Sequence, residues 1–218
     1  MQKPSAKSDW KDGFLFVGNQ LALDFLNTRP LVDGKLSELL PDLHAVLRWF
    51  RAANLLTAKE FDSIERQWSR TDRAHKTVRA LHELREKLRE EILAWEQGRA
   101  IHQSTVGLLN NLMANHPMRT RLTHGRNAPS IHQWFEVRQP EDLFAPLAHS
   151  AAALFSTADR KRVRKCAQCV LHFQDTSKKG TRRWCSMQLC GNRWKVAAYA
   201  ARQREVHASE GNFRQSRG

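Results

Sequence analysis

The chain has 218 residues, 41% of them hydrophobic, and a formal net charge of +14. That length holds one domain of ordinary size with a small appendix, or two small domains. No apolar run approaches the roughly 18 residues of a membrane helix, and the start, MQKPSAKSDWKDG, lacks the apolar stretch of a secretory signal, so a soluble, cytoplasmic protein is expected.

Residues 1–12 are polar and are expected to fray. FLFVGNQLALDFLNT then reads as a short strand, a turn at Gly18 and a buried helical turn or two. Pro30 discourages helix at Arg29. Leu43, Val46, Leu47 and Phe50 are spaced for a helix, with Pro41 in its first turn. Thr57 and Glu60, three apart, form a capping box for the next helix. The longest helix should follow Asp72. Ala74, Val78, Leu81, Leu84, Leu88, Ile92 and Trp95 step by three or four along one face, and charges fill the other until Gly98.

RAIHQSTVGLLNNLMAN predicts a further, shorter helix. In MRTRLTHGRNAPSIHQWFEVR two short runs flank a Gly/Asn/Pro turn, which predicts a hairpin with Ile131, Phe135 and Val137 on one strand face. Pro140 opens an alanine-rich helix that Pro146 should kink, and that helix ends where the composition changes, near Ala158–Arg162. There is no internal repeat and no Gly/Ser spacer, so the two parts should be tightly joined.

The charge is unevenly spread. From Ala158 onward there are 15 Lys+Arg against 4 Asp+Glu, and before it 21 against 18. A concentrated basic patch is the footprint of a polyanion partner, most commonly nucleic acid, although a basic tail can also serve solubility alone. All four cysteines fall in the same region, between Cys166 and Cys190. Their pattern is Cys166-x2-Cys169, then 15 residues, then Cys185-x4-Cys190. Zinc takes four soft donors at tetrahedral corners, and two turns carrying two thiolates each supply them. Four thiolates leave no open position, so one structural rather than catalytic Zn2+ is expected. A disulfide pair, four unrelated buried cysteines, or His172 in place of one cysteine are the other readings. Metal binding also explains how so short a segment folds.

Past Cys190 a helix should run to about Val206. On its wheel Val196, Tyr199, Ala200 and Gln203 form one apolar stripe, and Trp194, Ala197, Ala198 and Ala201 a second. Arg193 with Arg204, and Lys195 with Arg202, make two basic edges between them. One stripe is expected to pack on the zinc knuckles, the other on the first domain or on a second subunit. The candidate nucleic-acid contacts are Arg182, Arg183, Lys195 and Arg202. Arg193, which completes that set, lies close enough to Cys190 to hydrogen-bond the knuckle instead.

CAQCVLHFQDTSKKGTRRWCSMQLCGNRWKVAAYAARQR closely resembles the CGNR zinc finger, whose tetrapeptide stands at Cys190, Gly191, Asn192 and Arg193. The match includes the first cysteine pair, Phe173, Asp175 and Ser177, and Arg182, Trp184, Cys185, Ser186 and Met187. FVGNQLALDFLNT and the helices after it are similar, more loosely, to the ABATE-like domain of stress-induced transcription regulators that usually precedes this finger. The resemblance implies a bacterial DNA-binding regulator whose larger domain senses a small molecule.

The expected fold class is therefore α+β: a mostly helical N-terminal domain with a small antiparallel sheet (residues 13–157), then a small four-cysteine zinc module ending in a basic helix (163–207). Asp24, Asn27 and Thr28, polar in an apolar stretch, either meet a ligand or cap the helix end and fix the turn into Arg29-Pro30, and the second reading is favoured. The leading function is a zinc-containing transcription regulator that binds DNA through its finger and responds to stress or a small-molecule effector. A homodimer is left open. An RNA-binding or ribosome-associated zinc protein and a thiol-based redox sensor are the alternatives. An enzyme is not expected, because the ten histidines are scattered and no H-E-x-x-H, G-x-S-x-G or Walker-type loop occurs.

Overall fold

The computed structural model describes residues 9–32, 34–125 and 128–215, with side chains as far as Arg204. Strands β1 (Trp10–Lys11) and β2 (Phe14–Leu15) form a tight hairpin, followed by helix α1 (Leu21–Leu26). A second hairpin joins β3 (Leu31–Val32) to β4 (Lys35–Leu36). Helices α2 (Leu43–Ala52), α3 (Ala58–Trp68), α4 (Asp72–Glu96) and α5 (Gln103–Asn115) come next. A third hairpin pairs β5 (Arg119–Thr123) with β6 (Ser130–Trp134), and a 3-10 turn, Pro140–Leu143, leads into α6 (Phe144–Thr157). The last part comprises β7 (Val163–Lys165), β8 (His172–Gln174), a π turn at Met187–Gly191 and α7 (Asn192–Gln215). Among the described residues the strands form four separate two-stranded antiparallel sheets instead of one small sheet.

The helices start where their caps stand. The Asp42 side chain accepts from the Ala45 N–H at 2.8 Å, so Pro41 lies just outside α2 and not in its first turn. The Thr57–Glu60 capping box is present. On α4 all seven apolar positions of the expected face are buried. Arg85, on the same helix, is also buried: its guanidinium donates to both carboxylate oxygens of Glu38 and to the Thr28 hydroxyl. Pro146 is the third residue of α6, where its missing N–H costs no helical bond, so no kink is required.

The third hairpin departs from the expected face. Ile131 is 70% exposed, while Phe135 is buried but lies beyond the end of β6. Of the turn between its strands, residues 126 and 127 lie outside the described residues, as do residues 1–8 of the segment expected to fray.

Two apolar clusters result. The larger is built on α1, α2, α4 and α6, and Val163 of β7 joins it. The smaller gathers Cys166, Leu171, Phe173, Cys185 and Cys190 with Leu15 and Val17 from the N-terminal segment. Each half of the chain thus supplies residues to the other half's core. An N-terminal domain counted from residue 13 includes side chains that bury against the cysteines.

Candidate metal centre and the basic surface

Hairpin β7–β8 pairs Lys165 with His172, which places Cys166 just past the end of β7. The Cys166 N–H donates to the Leu171 carbonyl at 2.8 Å, closing the first knuckle around Cys169. The second knuckle is held by Ser186, whose hydroxyl accepts from the N–H groups of Gln188 and Leu189 at 3.0 and 3.3 Å. Its carbonyl accepts from both Cys190 and Gly191, at 3.1 and 3.0 Å. That i to i+5 bond makes a π turn, one residue wider than an α turn, and accounts for four residues between Cys185 and Cys190 instead of two. A Cβ at Gly191 would stand 2.6 Å from Met187 Sδ, so the turn closes tightly over this position.

The four sulfurs converge, all within 4.8 Å of one another. Cys169 Sγ lies 3.8 Å from Cys185 Sγ, which lies 3.7 Å from Cys190 Sγ. A tetrahedron with zinc–sulfur bonds of about 2.3 Å has edges of about 3.8 Å, so this donor set fits the metal. All four cysteines are free of disulfides.

The electrostatics agree. Without a cation, hydrogen bonds from Cys169 and Cys185 stabilise a thiolate at Cys166. The same sharing pushes Cys169 up to about 12, and it pushes Cys185 up too. Four thiolates cannot coexist so close together unless a dication neutralises them. The Cys185 N–H donates to Cys166 Sγ at 3.3 Å, an outer contact that orients the ligand. His172 is not a fourth donor. It is 1% exposed, its backbone is bonded to Asn27, and its Nε2 lies 3.7 Å from Glu96 Oε1.

Residues 19–158 match the family model ABATE, described as a putative stress-induced transcription regulator. The chain belongs to this family. Residues 162–203 match the CGNR zinc finger. A search of the curated proteins finds no match. With the sulfur geometry, these matches make the chain a zinc-binding regulator with one structural zinc held by Cys166, Cys169, Cys185 and Cys190. No helix among the described residues is long and apolar enough to cross a membrane.

The arginines of the finger divide into two groups. Arg162, Arg164 and Arg182 fasten the loop between β8 and Cys185. Asp175 is at its centre, buried, and accepts from the N–H groups of Ser177 and Arg182 at 2.9 and 2.8 Å. Burial pushes this carboxyl up, but those bonds and the nearby Arg164 outweigh it and hold it at about 2. Arg164 donates to the carbonyls of Gly180 and Arg182, and Arg162 to those of Asp175 and Ser177.

Arg182 lies over the Phe173 ring, 4.4 Å from its centroid, and donates to the carbonyls of Trp184 and Cys185. Its guanidinium, expected among the nucleic-acid contacts, is engaged inside the finger. Arg193 Nε donates to the Leu189 carbonyl at 3.1 Å, the knuckle contact expected of it.

The other group is exposed. It includes Arg183, Lys195 and Arg202, expected from the sequence, and also Lys178 and Lys179. Only the loop's fold shows that these two lysines are turned outward while Arg182 is turned in.

Helix α7 packs less than its wheel suggests. Trp194 meets Trp184 of the knuckle at 5.4 Å between centroids, and Arg183 covers both rings at 5.6 and 6.0 Å. Val196 and Tyr199 of the opposite stripe are 69% and 59% exposed. That stripe therefore does not pack on the first domain.

The three polar residues of α1 and the turn after it are occupied structurally. Asp24 Oδ1 accepts from the Gly18 N–H at 2.7 Å, and burial pushes its carboxyl up to about 7. A Cβ at Gly18 would lie 2.8 Å from the Asp24 backbone nitrogen, so only glycine permits this approach. Asn27 bonds the backbone of His172, while the Thr28 hydroxyl donates to the Phe25 carbonyl and accepts from Arg85. These bonds support the capping and turn-fixing reading.

Proposed function

We propose that this regulator binds duplex DNA through its zinc finger and α7, and that the ABATE domain relays a stress or small-molecule signal to it. The observation that carries the reading is the exposure of Lys178, Lys179, Arg183, Lys195 and Arg202 on a single small module beside the zinc centre. Exposed cations of this kind neutralise phosphates, and arginines among them can also read base edges. Four thiolates leave the metal no open coordination position, which favours a binding role over an enzymatic one. Competition between duplex DNA and structured RNA at matched ionic strength tests the reading. Duplex DNA should displace bound RNA at lower concentration. The reverse order would point to an RNA-binding zinc protein instead.

A further inference from the structure

Hairpin β3–β4 and the finger face each other across a cleft of about 510 Å3. Leu31 and Val32 form one wall, Trp10 and Leu15 of the first hairpin another, and Leu171 and Leu189 of the finger a third. Trp10, Leu31 and Val32 are 44%, 43% and 45% exposed, so large apolar side chains are concentrated at this opening. The sulfurs of Cys169, Cys185 and Cys190 belong to residues that line it as well. Arg193 supplies the one cationic side chain among the described lining residues. The Arg193 Nε is held by the Leu189 carbonyl, whereas its two terminal nitrogens make no bond among the described residues.

We infer that this cleft binds a small, largely aromatic or branched-alkyl organic acid. The volume lies within the roughly 300–1,000 Å3 range of small-molecule sites, and apolar walls with one placed polar group are their usual composition. The thiolate side of the cleft repels an anion. The acid therefore sits at Arg193 and the apolar body against Leu31 and Val32. A ligand placed this way bridges the ABATE domain, through β3–β4, to Leu189–Arg193, where the basic helix begins. As a regulatory site the cleft rests on the proposed DNA-binding function; as a binding site it does not.

The test uses the full zinc-loaded chain and two fluorescent probes with the same ring system, 1-anilinonaphthalene-8-sulfonate and the uncharged N-phenyl-1-naphthylamine. The sulfonate should bind saturably, one per chain. Val32→Asp, at a half-exposed wall position, should weaken both probes by about tenfold or more, since it sets a charge against an apolar ligand. Val32→Ser, a milder change, should weaken both in the same direction if the aspartate variant fails to fold. Leu122→Asp, on the exposed third hairpin, should leave both unchanged. Arg193→Gln, with zinc content verified, should weaken the sulfonate by about tenfold and leave the uncharged probe within about twofold.

Absence of saturable binding, indifference to Val32 substitution, or an equal effect of Leu122→Asp would overturn the site. An equal effect of Arg193→Gln on the two probes would overturn its preference for an acid. Duplex affinity measured on the same samples separates the two claims. Lost probe binding with intact DNA binding removes only the cleft, and the converse removes only the DNA-binding reading.

Discussion

Asn27 and His172, 145 positions apart, exchange two buried hydrogen bonds: Asn27 Nδ2 donates to the His172 carbonyl at 2.9 Å, and the His172 N–H donates to Asn27 Oδ1 at 2.8 Å. One side chain thus satisfies the outer edge of β8 and ties the finger to α1. Asn27→Leu keeps the volume but leaves both backbone groups unpaired, which should cost about 2–3 kcal/mol. Denaturant unfolding checks this. An unchanged midpoint would show that water or a shifted strand replaces the fork.

Zinc removal should reach beyond the finger. Leu15 and Val17 bury against the cysteine cluster, so Cys166→Ser or a strong chelator should loosen residues 9–18 together with the knuckles, while α2, α3 and α4 stay folded. Metal analysis should find one zinc per chain, and amide exchange at Phe14–Val17 should accelerate when it is removed. Unchanged exchange there would mean that the segment is held by other contacts.

A fragment ending at residue 157 should keep its helices but melt at lower temperature than the full chain. It loses Val163 from the main core, the partner of Asn27, and the cover over Leu15 and Val17. Equal melting temperatures would show that the two cores are independent.

Stability should depend on pH through Glu96 at the end of α4. Its neighbours are His172 and Lys165. Burial pushes its carboxyl up to about 7 and pushes the His172 imidazole down to about 4. Glu96 binds its proton more tightly folded than unfolded, so its contribution is greatest below pH 4.5 and is lost as pH rises toward 7. His172 works in the opposite sense, losing stability as pH falls from about 6.5 toward 4. Glu96→Gln removes only the first effect. Between pH 5 and 8 the variant should gain about 2 kcal/mol relative to the native chain. Parallel pH profiles would contradict this.

Much of this was legible in the residues. Cysteine spacing gave the donor set, the seven-residue stripe gave α4, and Thr57 with Glu60 gave the start of α3. What the sequence hid depends on tertiary partners. Arg85 and Arg182 look like surface cations by type, yet each is drawn inward by groups distant in the fold or bound to it: Glu38 and Thr28 for Arg85, the Phe173 ring and two carbonyls for Arg182. Leu15 and Val17 sit in an apolar run that says nothing about which core takes them. Phe135 has the period of a strand residue but turns inward only after the strand has ended. The wheel of α7 set Trp194 and Tyr199 on separate stripes, but no periodicity could show which stripe meets the knuckle or that Val196 and Tyr199 remain exposed.

The central claim, that the finger and α7 hold DNA by phosphate contacts, is tested most directly by duplex affinity against salt concentration for the native chain and for Lys195→Ala/Arg202→Ala. Each contact contributes a slope of roughly −0.9 in log affinity against log salt, so about four contacts give a native slope of about −4. The double variant should bind more weakly with a slope shallower by about two units, its zinc content and melting temperature unchanged. An unaltered slope and affinity, with both reduced instead by Arg204→Ala, would place DNA on the opposite edge of α7 and contradict the assignment.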